Sequence, residues 1–139
     1  MNIGSFSEYL FLYGTLMRGL DAMDSLSANS CLQFLREAQV RGQLYDLGSY
    51  PGLLPGQGLV RGEVYEVLNP RIWSILDPYE DYLPGNETGS LYLREQLELS
   101  DGSGRVWTYI YNEKVGEHSL IADGDWRKYW HEKRQKIGV

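Results

Sequence analysis

The chain has 139 residues, 42% of them hydrophobic, with 13 Lys+Arg against 19 Asp+Glu for a formal net charge of −6. Its single cysteine excludes an intrachain disulfide framework, and one Cys with two His falls short of the four ligands of a structural zinc site. The acidic balance argues against a broad nucleic-acid surface, which rests on clustered Lys and Arg.

At this length one domain spanning residues 1–139 is expected. Residues 1–8 carry no Lys or Arg, and the apolar run that follows is too short for a signal segment. Nothing approaches 18 consecutive apolar residues, so no membrane partner is expected, and the lone thiol fits a reducing, cytoplasmic setting. Tyr9, Leu10, Phe11, Leu12 and Tyr13, stopped by Gly14, read as a strand buried on both faces. Residues 17–24 are loop-like. From Ser25 the spacing of Cys31, Leu32, Phe34 and Leu35 predicts a helix, capped by Ser25 or Ser27. Residues 38–47 alternate as a strand, whereas the Gly and Pro of residues 48–58 predict a loop. A further strand follows over 59–67.

Asn69-Pro70 opens a short helix, with Asn as the cap and Pro where its missing N–H costs nothing. Ile72, Ile75, Leu76 and Tyr79 then form one buried stripe. Residues 91–99 and 106–111 are strands joined by Asp101-Gly102-Ser103-Gly104, a hairpin. Asp125 caps a terminal helix over 126–136, whose Lys and Arg interleave with Glu132. Five or six strands with few helices and frequent Gly predict an α+β fold, a small, strongly curved sheet or barrel.

The usual catalytic signatures are missing: there is no GxSxG elbow, P-loop, GxGxxG fingerprint or HExxH. Cys31 reads as a buried, inert thiol, and His118 and His131 as surface residues. Two weaker candidates remain. Glu80 closes the helix opened by Asn69-Pro70, beside an apolar stripe. There the helix dipole and partial burial would raise a carboxyl pKa toward the range of a general acid/base. Without the stripe facing inward, Glu80 is a residue of a solvated acidic turn. The second candidate is Tyr13-Gly14-Thr15-Leu16, where a strand ending at glycine exposes backbone N–H groups that can hold a carboxylate or an oxyanion.

Six segments taken in order carry a resemblance. They are Leu10-Phe11-Leu12-Tyr13-Gly14-Thr15-Leu16, the stretch from Val40-Arg41-Gly42 through Tyr50-Pro51-Gly52, and Val60-Arg61-Gly62-Glu63-Val64-Tyr65. Leu76-Asp77-Pro78-Tyr79-Glu80, Tyr92-Leu93-Arg94 and Gly124-Asp125-Trp126-Arg127 complete the set. Together they resemble the gamma-glutamylcyclotransferase-like family over nearly the whole chain. The resemblance implies a small mixed β-barrel with helices packed outside. It also implies an enzyme that needs no cofactor, metal or protein nucleophile. Its reaction cyclises a γ-glutamyl amine or γ-glutamyl amino acid to 5-oxoproline and releases the amine. By the same resemblance Glu80 is the acid/base, Tyr13, Gly14, Thr15 and Leu16 hold the substrate, and Tyr92 lines the pocket.

Two details depart from the family pattern: Asp81 stands where many members have glycine, and residues 81–91 form a longer loop that reads as a flap. Asp77 reads as a cap or ion-pair partner, and Gly124 to Arg127 as a structural lock. The expected partner is a small γ-glutamyl molecule, with no nucleic acid, and a monomer or weak homodimer. The alternative is a non-catalytic module that binds a small carboxylate in the same pocket.

Overall fold

The computed structural model describes residues 7–18, 20, 26 and 28–137, with side chains through residue 133. The strands are β1 (Tyr9–Leu12), β2 (Leu32–Asp46), β3 (Pro51–Val67), β4 (Tyr92–Glu98), β5 (Arg105–Tyr111) and β6 (Ser119–Ile121). Two α-helices, α1 (Arg71–Tyr79) and α2 (Trp126–Ile137), join them, with 3-10 turns at Asn29–Cys31 and Glu87–Gly89. The strands make one sheet in the order β4-β5-β1-β3-β2-β6. Pairing is antiparallel except between β1 and β5.

Register shifts in β2 between Phe34 and Arg36 and between Arg41 and Gln43 bend the long β2–β3 ribbon. The bend curls the sheet until Val40 of β2 bridges Leu99, just past β4. The result is a half-barrel, in keeping with the expected small, strongly curved sheet or barrel, and it is filled by Leu10, Phe11, Leu44, Leu53, Val60 and Tyr109. β1 is almost wholly buried, as its unbroken apolar run predicts.

The sequence misleads in two places. Among the described residues no α-helix covers residues 28–35: the chain leaves the 3-10 turn directly into β2, so Cys31 sits in that turn, buried, rather than in an α-helix. Leu32 pairs with Val67 and Phe34 with Tyr65, so the β3 edge offers a ladder that helical spacing could not foresee. The proposed caps Ser25 and Ser27 lie outside the described residues. The loop expected over 48–58 shrinks to residues 48–50, where Leu47 N–H donates to Tyr50 O. From Pro51 onward the chain is strand, because β2 runs alongside it from Asp46↔Pro51 to Leu32↔Val67. Proline begins that strand, where a lost donor is tolerated.

Other expectations hold. Asn69 Oδ1 accepts the Arg71 N–H at 2.9 Å, and Pro70 has φ −63°. The α1 stripe is narrower than predicted, however: Ile72 and Leu76 are buried, Ile75 is half-buried and Tyr79 is 40% exposed. β4 and β5 form the hairpin, from Tyr92↔Tyr111 to Glu98↔Arg105. Asp125 Oδ1 accepts the Lys128 N–H at 3.1 Å, capping α2, and the next residue, Trp126, is fully buried. Gly124 has φ +65°, and its carbonyl accepts Arg61 N–H at 2.8 Å. A Cβ there would lie 2.0 Å from Leu59 O, so only glycine lets α2 dock against β3.

Candidate active site

Glu80 stands where α1 ends. Its N–H still donates to Leu76 O at 2.9 Å, and Asp81 then turns the chain with φ +53°. The negative end of the helix dipole therefore points at a half-buried carboxylate. Among the described residues no side chain donates a hydrogen bond to it. Burial pushes its pKa up to about 7, and the neighbouring Asp81 carboxylate adds to the rise.

Asp77 lies one turn earlier and has the opposite surroundings. It is buried, accepts the Tyr109 hydroxyl at 2.6 Å and pairs with Arg94 at 3.4 Å. The Arg94 guanidinium lies over Trp73, 4.3 Å from the ring centroid. The set ties the end of α1 to the β4–β5 hairpin. Asp77 is thus an ion-pair partner, as its sequence setting suggests.

Across from Glu80, the chain leaves β1 in a turn closed by Met17 N–H donating to Gly14 O at 3.1 Å. The N–H groups of Gly14, Thr15 and Leu16 donate to no other described residue. Gly14 is needed for a close approach, because a Cβ there would sit 2.8 Å from the Pro51 ring. The hydroxyl of Tyr13 donates to Tyr109 O at 2.6 Å and accepts from Leu53 N–H at 3.3 Å. Tyr92 donates to Pro51 O at 2.6 Å. Both hydroxyls are thus committed to the main chain, and burial raises both pKa values far out of the physiological range. These tyrosines contribute ring walls.

The structure brings every predicted site residue to one place. Tyr13, Gly14, Thr15, Leu16, Glu80 and Tyr92 line a narrow cavity of about 30 Å³. An adjoining cavity of about 290 Å³ shares Thr15, Tyr50, Glu80 and Tyr92 and adds Tyr79 and Asp81. Thr15 Oγ1 and the Tyr79 hydroxyl meet at 3.2 Å between the turn and the helix. Sequence reasoning missed Tyr50, Pro51, Thr108 and Tyr109 as cavity residues. Tyr50-Pro51 reads as turn chemistry and as the end of a family segment, neither of which assigns it to the cavity, and Thr108 and Tyr109 belong to a hairpin strand that is buried on both faces and carries no local mark.

On the far side of the same turn lies another carboxylate, Glu63, 1% exposed. Its Oε1 accepts the Arg18 N–H at 2.9 Å and the Tyr65 hydroxyl at 2.8 Å. Its Oε2 accepts Arg18 Nε at 2.8 Å and Arg127 at 3.1 Å. Burial alone would raise the Glu63 pKa, but these donors outweigh it and hold the carboxyl below its ordinary value. Glu63 borders a cavity of about 660 Å³ with Arg18, Arg61 and Arg127, and its charge is already answered. Among the described residues no group of three His, Cys, Asp or Glu is placed to hold a metal. No helix there is long and apolar enough to cross a membrane.

Residues 10–128 match the family model described as "Gamma-glutamyl cyclotransferase, AIG2-like". The chain is 34% identical over 127 residues to the gamma-L-glutamyl-butirosin B gamma-glutamyl cyclotransferase of Niallia circulans, covering 89% of this chain and 78% of that protein. It is 34% identical over 124 residues to the gamma-glutamylcyclotransferase family protein YtfP of Escherichia coli, covering 84% and 94%. In backbone it resembles the crystal structure of an AIG2-like protein from Mus musculus, with TM-score 0.68, 24% identity and coverage of 86% and 88%.

Proposed function

The chain belongs to the gamma-glutamyl cyclotransferase, AIG2-like family of enzymes, and from that premise we propose that it closes a γ-glutamyl amide into 5-oxoproline with Glu80 as general acid/base. The observation that carries the reading is a carboxylate without a donor among the described residues, its pKa pushed up to about 7 by burial, that shares a cavity with three backbone N–H groups which donate to no described residue. A general base works best with a pKa near the working pH, and Glu80 meets that condition without a metal or a histidine.

The chemistry is intramolecular. Ionised Glu80 takes a proton from the substrate's α-ammonium, and the freed amine attacks the γ-carbonyl carbon, forming the ring C–N bond. The carbonyl electrons move to oxygen. They return as the bond to the outgoing nitrogen breaks, and Glu80 delivers its proton to that nitrogen. A second proton leaves the ring nitrogen, so the products are 5-oxoproline and an ammonium. Nucleophile and electrophile share one molecule, so the protein's main task is to hold the folded conformer. The N–H groups of Gly14, Thr15 and Leu16 are donors for the substrate carboxylate or the developing oxyanion. The rings of Tyr13, Tyr92 and Tyr109 exclude water around the closing ring.

The test is 5-oxoproline release from assorted γ-glutamyl compounds by the wild type and Glu80→Gln. The wild type should turn over at least one compound, and the variant should keep its fold and lose about 10²–10⁴-fold in rate. Saturable binding without product by the wild type would favour a carboxylate-binding module instead.

A further inference from the structure

The turn after β1 is held from behind, by side chains that do not line the cavities around Glu80. Leu12, the last residue of β1, pairs with Glu63 of β3, so the chain enters the turn directly opposite that glutamate. It returns to the same side chain at Arg18, whose N–H donates to Glu63 Oε1 at 2.9 Å. The Arg18 carbonyl is held as well. Arg127 of α2 donates to it through Nη2 at 2.7 Å, and through the same nitrogen to Glu63 Oε2 at 3.1 Å. That nitrogen carries two hydrogens, one for each acceptor.

Inside the turn the main chain supplies little support of its own. Among the described residues, Met17 N–H to Gly14 O is the bond that closes it. The placement of the Gly14, Thr15 and Leu16 donors is therefore set by the two ends of the segment, the β1 pairing at Leu12 and the clamp at Arg18. Donors assist a developing charge to the extent that they are fixed in advance. Glu63 cannot supply the whole clamp, because a carboxylate has no hydrogen to give a carbonyl. A guanidinium does both tasks, and its planar fork fixes the angle between them.

We propose that Arg127 is a positioning residue for the cyclisation: it holds the Arg18 carbonyl while Glu63 holds the Arg18 N–H, and so fixes the turn whose N–H groups serve the Glu80 cavity. This inference rests on the cyclotransferase reading above. It gives α2 a part in the reaction, although no described residue of α2 lines the cavities around Glu80. The proton transfers themselves stay with Glu80, whose pKa is raised by burial and Asp81 and not by Arg127.

The experiment measures kcat/KM against pH with whichever of γ-glutamyl-alanine and γ-glutamyl-butylamine the wild type turns over faster, reading 5-oxoproline. Exchange of the Arg18 amide is followed by NMR in the same proteins. Arg127→Met should lower kcat/KM by about 10–100-fold, with the limb near pH 7 in place and the Arg18 amide exchanging faster. Arg127→Lys keeps the charge beside Glu63 and loses the fork, so it should lose about threefold; it carries the test should Arg127→Met not fold. Tyr129→Phe is the control for α2 docking, because its hydroxyl ties α2 to Asp46 of β2 at 2.5 Å, away from the turn. It should match the wild type in both readouts, even where its melting temperature falls.

Wild-type kcat/KM and Arg18 exchange in the Arg127 variants would overturn the proposal and leave the cyclotransferase reading standing. So would an equal loss in Tyr129→Phe, which would make α2 docking alone the cause. Absence of 5-oxoproline from the wild type with both compounds would remove the cyclotransferase reading, and the proposal with it.

Discussion

Glu63 and Glu80 are both withdrawn from water, and the two regions treat the charge in opposite ways. Glu63 lies mid-strand and receives four donors from Arg18, Tyr65 and Arg127, so its carboxylate stays ionised. Glu80 lies at a helix end and receives no donor from a described side chain, and burial, with the Asp81 charge beside it, pushes its pKa up to about 7. A buried charge must be paired or give up its ionisation, and these two glutamates take one course each. The two sites also share a segment. The turn after β1 lends Gly14, Thr15 and Leu16 to the Glu80 cavity and fastens its far end to Glu63 through Arg18. The saturated carboxylate thus anchors the turn that shares a cavity with the unsaturated one.

The sharpest way to break this contrast is to neutralise each glutamate in turn. Glu80→Gln should cost about 10²–10⁴-fold in turnover, read as 5-oxoproline release, with the circular-dichroism spectrum unchanged. Glu63→Gln should do the reverse, lowering unfolding free energy in denaturant by roughly 2–3 kcal/mol. That is below the 3–5 kcal/mol of fully buried pairs, because Arg18 and Arg127 can turn toward water. Loss of turnover in Glu63→Gln should be smaller and appear first in KM, through a looser turn. If Glu63→Gln were neutral in stability and Glu80→Gln destabilising, the comparison would be inverted.

Stability as a function of pH probes the same difference more gently. The folded pKa of Glu80, about 7, lies above the ordinary 4.5, so folding favours its protonated form. Its contribution is fully present below pH 4.5 and is lost as pH rises through 7. Glu80→Gln should therefore gain stability relative to the wild type between about pH 5 and pH 8, by on the order of 2 kcal/mol. Melting curves at the two ends of that range check it. Glu63, whose folded pKa is depressed, contributes stability above its unfolded pKa that disappears only as pH falls through the folded value.

The smallest expected effect concerns Asp81, whose negative charge lifts the Glu80 pKa. The kcat/KM profile of the wild type should rise through about pH 7 as Glu80 ionises. Asp81→Asn should move that limb toward acid by roughly half a pH unit. A limb that stays in place would show that burial alone tunes Glu80.

Much of this arrangement was legible along the chain. The unbroken apolar run of β1, Asn69-Pro70 at the start of α1, the β4–β5 hairpin and the Asp125 cap are local patterns with local causes. The six ordered segments carried the family, and with it Glu80 and the turn at Gly14 as candidates for the site. Two features failed where the cause was remote. Leu32, Phe34 and Leu35 have helical spacing but are claimed by the β3 edge, and Pro51-Gly52 looks like a turn but lies against β2. The cavity residues Thr108 and Tyr109 sit in a strand buried on both faces, and its neighbours choose which side chains meet the cavity.

By itself, then, the sequence determined most of the elements and their order, and through the six ordered segments it singled out Glu80 as the candidate carboxylate. Tertiary structure alone decided which of two glutamates keeps its charge. Ionisation depends on the donors and water around the carboxylate, and Arg18, Tyr65 and Arg127 meet Glu63 only after the sheet has curled and α2 has docked.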